Sequence, residues 1–114
     1  LICVFACAAV PSFPAAPPSE EQKITMLIDY VRSLKGAVFI RNGTEYPPDQ
    51  AAEHLAMKRK KAGSRVKTAR EFIDRVASES YLSGTPYTVR LSDGSTVRSK
   101  ELLLRRLAEI ESAK

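Results

Sequence analysis

Apolar residues recur at helical spacing from Ile24 onward, with Ile24, Leu27, Ile28, Val31 and Leu34 on one face of a 3.6-residue period. The spacing predicts a first helix over Glu20 to Lys35. Ser19 can cap it and Gln22 completes a capping-box pattern. Glu20 and Glu21 suit the positive end of its dipole, and Gly36 can close it. The period then changes. Ala37 to Arg41 is a β-branched and aromatic run, and Asn42-Gly43 carries the residue types that a type I′ turn needs. Thr44-Glu45-Tyr46 supplies a short return strand before Pro47 removes a backbone donor and stops the pairing.

A second helix follows over Pro48 to Ala62, its apolar stripe thin at Ala52, Leu55, Ala56 and Met57, and Gly63 breaks it. A third helix, starting at Ser64 or Thr68 and running to Ser80, sets Val66, Ala69, Phe72, Ile73, Val76 and Ala77 on one face. Turn residues mark Tyr81 to Pro86 as a loop. Tyr87 to Leu91 and Thr96 to Arg98 alternate across Ser92-Asp93-Gly94-Ser95 as a second hairpin. Ser99 can cap a closing helix over Lys100 to Ser112, with Leu103, Leu107 and Ile110 facing inward. Elements in this order predict an α+β fold, four helices packed on one face of a small antiparallel sheet made of two β-hairpins. No internal sequence repeat and no second domain interrupt it.

Charge divides the chain unevenly. Residues 1–19 carry none, whereas everything from Glu20 is densely charged. Leu1 to Val10 is apolar but falls short of the ~20 residues that span a bilayer, and Pro11, Pro14, Pro17 and Pro18 follow it. Residues 1–19 are therefore expected to be a signal-peptide remnant and a Pro-rich linker, and residues 20–114 a single α+β domain. The plain alternative is a short buried segment of the mature domain. The expected location is periplasmic or secreted. Cys7 follows a small residue in Val4-Phe5-Ala6-Cys7 and would be the site of a lipid anchor, although Phe5 is bulkier than that pattern prefers. Both cysteines, Cys3 and Cys7, lie in this stretch, so the folded part has no thiol for a disulfide or a thiolate metal site.

The 114 residues suffice for one small core, and a net charge of +5 favours anionic partners without selecting one. His54 is the single histidine and the one candidate general base near neutral pH. Glu53 is poorly placed to orient it, because adjacent helical positions diverge by about 100°. Ser78, Ser80 or Ser83 could approach His54 across the fold, but none sits in a nucleophile elbow. The bland reading of His54 is a half-buried side chain bonded to the hairpin. With one histidine and no domain cysteine, no metal site and no cofactor are expected, and no catalytic residue is assigned.

Two surfaces remain. Lys58, Arg59, Lys60 and Lys61, continued by Arg65, Lys67 and Arg70, form a candidate anion patch. No aromatic interleaving or nucleic-acid signature accompanies them, so the partner expected there is an anionic envelope component, lipid head groups or wall polymer, and not nucleic acid. Arg41, Asn42, Tyr46, His54, Ser83 and Tyr87 form a candidate interaction surface suited to a protein or a small polar ligand. The competing account gives Asn42 to turn geometry and lets Tyr46 and Tyr87 cover the core edge.

The blocks F-I-R-N-G-T-E-Y at Phe39 to Tyr46, A-A-E-H-L at Ala51 to Leu55 with Lys58, T-A-R-E-F-I at Thr68 to Ile73 and S-E-S-Y-L-S-G-T-P-Y at Ser78 to Tyr87 stand in a fixed order. In that order the chain resembles the YfeK-like family of small exported bacterial proteins, a domain-of-unknown-function family, over nearly all of Glu20 to Ile110. The resemblance implies a periplasmic or surface-facing protein of Gram-negative bacteria. It supplies no reaction, cofactor or catalytic residue. The positions matching its pattern include Gly43, Phe72, Ser80 and Gly84 besides residues of the two surfaces. The sequence is thus read as an exported, non-enzymatic binding or accessory protein of the envelope, with a small hydrolase using His54 as the competing reading.

Overall fold

The computed structural model describes residues 16–80 and 83–113. The expectations for Leu1 to Val10, with Cys3 and the lipid-anchor position Cys7, lie outside the described residues, as do Tyr81 and Leu82 in the expected loop. In chain order the elements are α1 (Glu20–Ser33), β1 (Val38–Arg41), β2 (Thr44–Tyr46), α2 (Pro48–Ala62), a 3-10 turn (Gly63–Arg65), α3 (Ala69–Arg75), β3 (Thr88–Arg90), β4 (Thr96–Arg98) and α4 (Ser99–Ser112). The order helix, hairpin, helix occurs twice. Four helices thus pack on an antiparallel sheet made of two hairpins, and the chain is α+β.

The two hairpins join through their first strands, giving the order β2-β1-β3-β4 with every pairing antiparallel. Phe39 is opposite Tyr46 on one side and Val89 on the other, and Val89 is opposite Val97. These four residues share one face of the pleat and form the row on which the helices rest. Phe39 and Val89 are buried at its centre, while Tyr46 and Val97 at its ends are half-buried. On the other face Glu45, Arg90, Thr96 and Arg98 are exposed around half-buried Val38 and Ile40, with an ion pair between Arg90 and Glu45.

Each helix supplies one apolar stripe to a common core. α1 contributes Ile24, Leu27, Ile28 and Val31, and α4 contributes Leu102, Leu103, Leu107 and Ile110. Phe72 and Ile73 of α3 have no exposed surface. Burying an aliphatic or aromatic side chain of this size contributes about 1.5–3 kcal/mol before chain entropy is subtracted. α2 has a narrower stripe of Ala51, Ala52 and Leu55, and packs against α1.

Local signals account for most element ends. Ser19 Oγ accepts from the Gln22 N–H while Gln22 accepts from the Ser19 N–H, the reciprocal capping box at α1. Asn42 and Gly43 both take positive φ, 50° and 78°, as the type I′ turn requires. α1 ends at Ser33, two residues early, with Leu34 as its C-cap, and Gly36 at φ 83° turns the chain into β1. A Cβ at Gly36 would stand 3.2 Å from Ser92 Cβ, so both backbone and space favour glycine there.

Two expectations about helix ends are corrected. α3 spans Ala69–Arg75 and does not continue to Ser80. It starts from a capping box of Thr68 and Glu71, and its end is set where Phe72 O accepts from both the Val76 and the Ala77 N–H groups. Val76 and Ala77 are buried by that turn and not by further helix. Ser99, expected as the cap of α4, is instead its first helical residue, with Arg98 in the capping position and offering no side-chain bond.

Candidate functional site

α2 brings Ala51, His54, Leu55 and Lys58 onto one line, since positions i, i+3, i+4 and i+7 share a helix face. That line looks across at the sheet. Phe39 and Arg41 of β1 point to the same side because they are two residues apart, and Tyr46, Tyr87 and Thr88 bring in the neighbouring strands. The first residue of α4, Ser99, completes the wall. Between them lies a cleft of about 40 Å³, enough for a few non-hydrogen atoms. Its walls are chiefly apolar, from Phe39, Tyr46, Ala51, Leu55 and Tyr87, and its polar side chains are Arg41, His54 and Ser99. Ile40 and Thr88 border it although their strand positions alternate with the core-facing row.

Arg41 Nη1 stands 2.7 Å from His54 Nε2. The same Nη1 is 3.4 Å from His54 Nδ1, and because a guanidinium can only donate and stays charged, this contact favours the neutral imidazole. Partial burial first, and then the positive charges of Arg41, Lys58 and Lys61, hold the imidazole below its ordinary pKa. Glu53 does not oppose this. It turns toward α1, 3.8 Å from Arg32, as the divergence of adjacent helical positions predicts.

Lys58 points inward. Its Nζ donates to Val76 O and to the Tyr87 hydroxyl, both at 2.8 Å, and lies 4.8 Å from the Tyr87 ring centroid. One lysine thereby ties α2 to the end of α3 and to the entry of β3. Arg59 is committed to α1, donating to Thr25 Oγ1 at 3.0 Å and to Glu21 O at 3.2 Å. Of the four consecutive cations Lys60 and Lys61 are exposed, whereas Lys58 and Arg59 are half-buried and hydrogen-bonded within the fold.

Arg41, Tyr46, His54 and Tyr87 of the expected interaction surface come together, but as walls of a cleft; Tyr87 is buried, at 8% exposure. Asn42 and Ser83 meet nearby in a separate clasp. Asn42 Oδ1 accepts from Ser83 Oγ at 2.9 Å, and Asn42 Nδ2 donates to Ser80 Oγ at 3.3 Å. This clasp ties the tip of the first hairpin to the segment before β3. Ser78 donates to Ile73 O at the end of α3. All three serines considered as nucleophiles therefore have structural partners.

The sequence reading missed Ser99 as a wall of the cleft. It is 4% exposed and lines the cleft. An N-cap serine reads the same as one displaced by a single residue into the helix, so its sequence carried no signal. Among the described residues no cluster of His, Cys, Asp and Glu could hold a metal ion, and no helix is long and apolar enough to cross a membrane.

Residues 18–111 match the family described as a family of unknown function, DUF5329. The chain is 33% identical over 78 residues to the uncharacterized protein YfeK of Salmonella typhimurium, a match that covers 68% of this chain and 65% of that protein. It thus spans just under two thirds of the length of that relative. No solved structure matches the chain.

Proposed function

The chain belongs to DUF5329, a family of unknown function, and from that premise we propose that it is a non-enzymatic binding protein of the bacterial envelope. Its ligand enters the cleft between α2 and the sheet. The observation that carries this reading is the close contact of Arg41 with both ring nitrogens of His54, a fixed positive charge that opposes the imidazole taking up a proton as a general base must. A mainly apolar cleft with a few convergent polar groups is the ordinary form of a small-ligand site. The uncharged, proline-rich residues 1–19 ahead of a charge-dense domain support an exported location.

A photoreactive residue in place of Tyr46 tests the reading in intact cells. Position 46 should yield discrete adducts that the same residue at Thr96, on the exposed sheet face, does not. Equal capture at both positions, or none at 46, would refute it.

The hydrolase reading has one observation in its favour, that His54 and Ser99 line the same cleft. Hydrolysis of a p-nitrophenyl ester that vanishes in both His54→Gln and Ser99→Ala would establish it in place of binding.

A further inference from the structure

Charge in the cleft is unbalanced. Among the described residues no carboxylate lies within salt-bridge distance of Arg41, which also holds for Arg59, Arg65, Arg70, Arg98 and Arg105, but Arg41 is the arginine that lines the cleft. The guanidinium is half-buried and faces only a neutral imidazole. Lys58, one turn along α2 from His54 and behind the cleft wall at Tyr87, is likewise bonded only to neutral oxygens. Partly burying a cation without an anion is unfavourable unless something supplies the missing charge. Across the cleft from α2, Ser99 is 4% exposed and lines the same volume, at the positive end of the fourteen-residue α4. Arg41 and Ser99 thus face one small volume with chiefly apolar walls.

We propose that the cleft binds a small monocarboxylate, its carboxylate received by Arg41 and Ser99 and its short apolar stem lying against Phe39, Tyr46 and Leu55. The inference rests on the binding reading above and names its ligand class. A planar guanidinium matches the two oxygens of a carboxylate and can serve them while keeping its bond to His54, because it carries five donors. The volume of about 40 Å³ limits the stem to a few carbons. The mainly apolar walls disfavour an anion that needs hydration on every side, so phosphate is excluded by the same surface that accepts the stem.

The test uses the isotope-labelled protein and propionate, with propionamide as its uncharged counterpart and inorganic phosphate as the alternative anion. Propionate should shift the amide signals of Thr88, Ser99 and Lys100 saturably at millimolar concentrations, as expected for so few atoms. It should also raise the pH at which His54 titrates, since a bound anion offsets Arg41, Lys58 and Lys61. Arg41→Gln should weaken binding at least tenfold and Ser99→Ala severalfold, while Arg105→Gln, an exposed arginine of α4, should leave it unchanged. Equal shifts with propionamide, tighter binding of phosphate, or unchanged affinity in a folded Arg41→Gln or Ser99→Ala protein would overturn the proposal. Failure here alongside specific capture from position 46 would leave the cleft a binding site for another chemistry; failure of both would remove the binding reading as well.

Discussion

Replacing Lys58 with methionine separates the hydrogen bonds of its ammonium from the packing of its stem. Methionine keeps an unbranched chain but leaves Val76 O and the Tyr87 hydroxyl without their donor. Hydrogen bonds to a charged group contribute roughly 1.5–3 kcal/mol net, and neutral ones about 1 kcal/mol. Lys58 is only half-buried, so water can reach part of the vacated position and the cost stays below the sum of two charged bonds. The expected loss is about 1–3 kcal/mol, a fall in melting temperature of roughly 5–20 °C for a domain of this size. Tyr87→Phe should cost about 0.5–1.5 kcal/mol, and the double variant less than the sum of the two, by roughly 0.5–1.5 kcal/mol. Urea denaturation followed by circular dichroism measures all three. Lys60→Met, one residue along and exposed, should stay within about 0.5 kcal/mol of the parent. A Lys58→Met protein as stable as Lys60→Met, or strict additivity with Tyr87→Phe, would refute the claim that this lysine fastens three elements together.

Three further outcomes follow from the same structure. Phe72→Ala, which removes a side chain with no exposed surface, should cost about 3–5 kcal/mol and leave the domain largely unfolded at 37 °C by calorimetry. His54 should titrate below its ordinary value near 6.5 in the folded protein, as followed by NMR. The unfolded chain then binds a proton that the folded one refuses, so stability falls as pH drops through about 6.5 toward the lower folded value and changes no further below it; Arg41→Gln should move the titration upward. Asn42→Ala should cost more than Asn42→Gly, by about 1 kcal/mol in urea melts, because both lose the clasp to Ser80 and Ser83 but only alanine resists a φ of 50°.

What could be read from the sequence was local. Ser19 with Gln22 and Asn42 with Gly43 act on their own neighbours, and the α1 start and the first hairpin stand where those residues place them. The end of α3 was hidden because a periodic pattern records which residues are buried and not how. Val76 and Ala77 continue the apolar period, yet the chain has already turned, and Lys58 from eighteen residues earlier holds Val76 O. The same limit applied to the site. Arg41, Tyr46, His54 and Tyr87 could be selected as unusual residues near turns, but their meeting depends on the pairing of β1 with β3, a contact between strands some fifty residues apart that no spacing encodes. Lys58 looked like the first member of a charged run, and only the tertiary position of Tyr87 shows it to be interior.

Because β1 and β3 pair with each other, the longest strand of the sheet has neighbours on both sides. The outermost strands, β2 and β4, have three residues each, and one of them ends against Pro47. An approaching copy of the chain therefore finds only a few free amides and carbonyls to zip onto, next to exposed Glu45 on one border and Arg98 on the other. Crowding and partial loosening would have to dismantle the middle of the ribbon before fibril-like growth could begin.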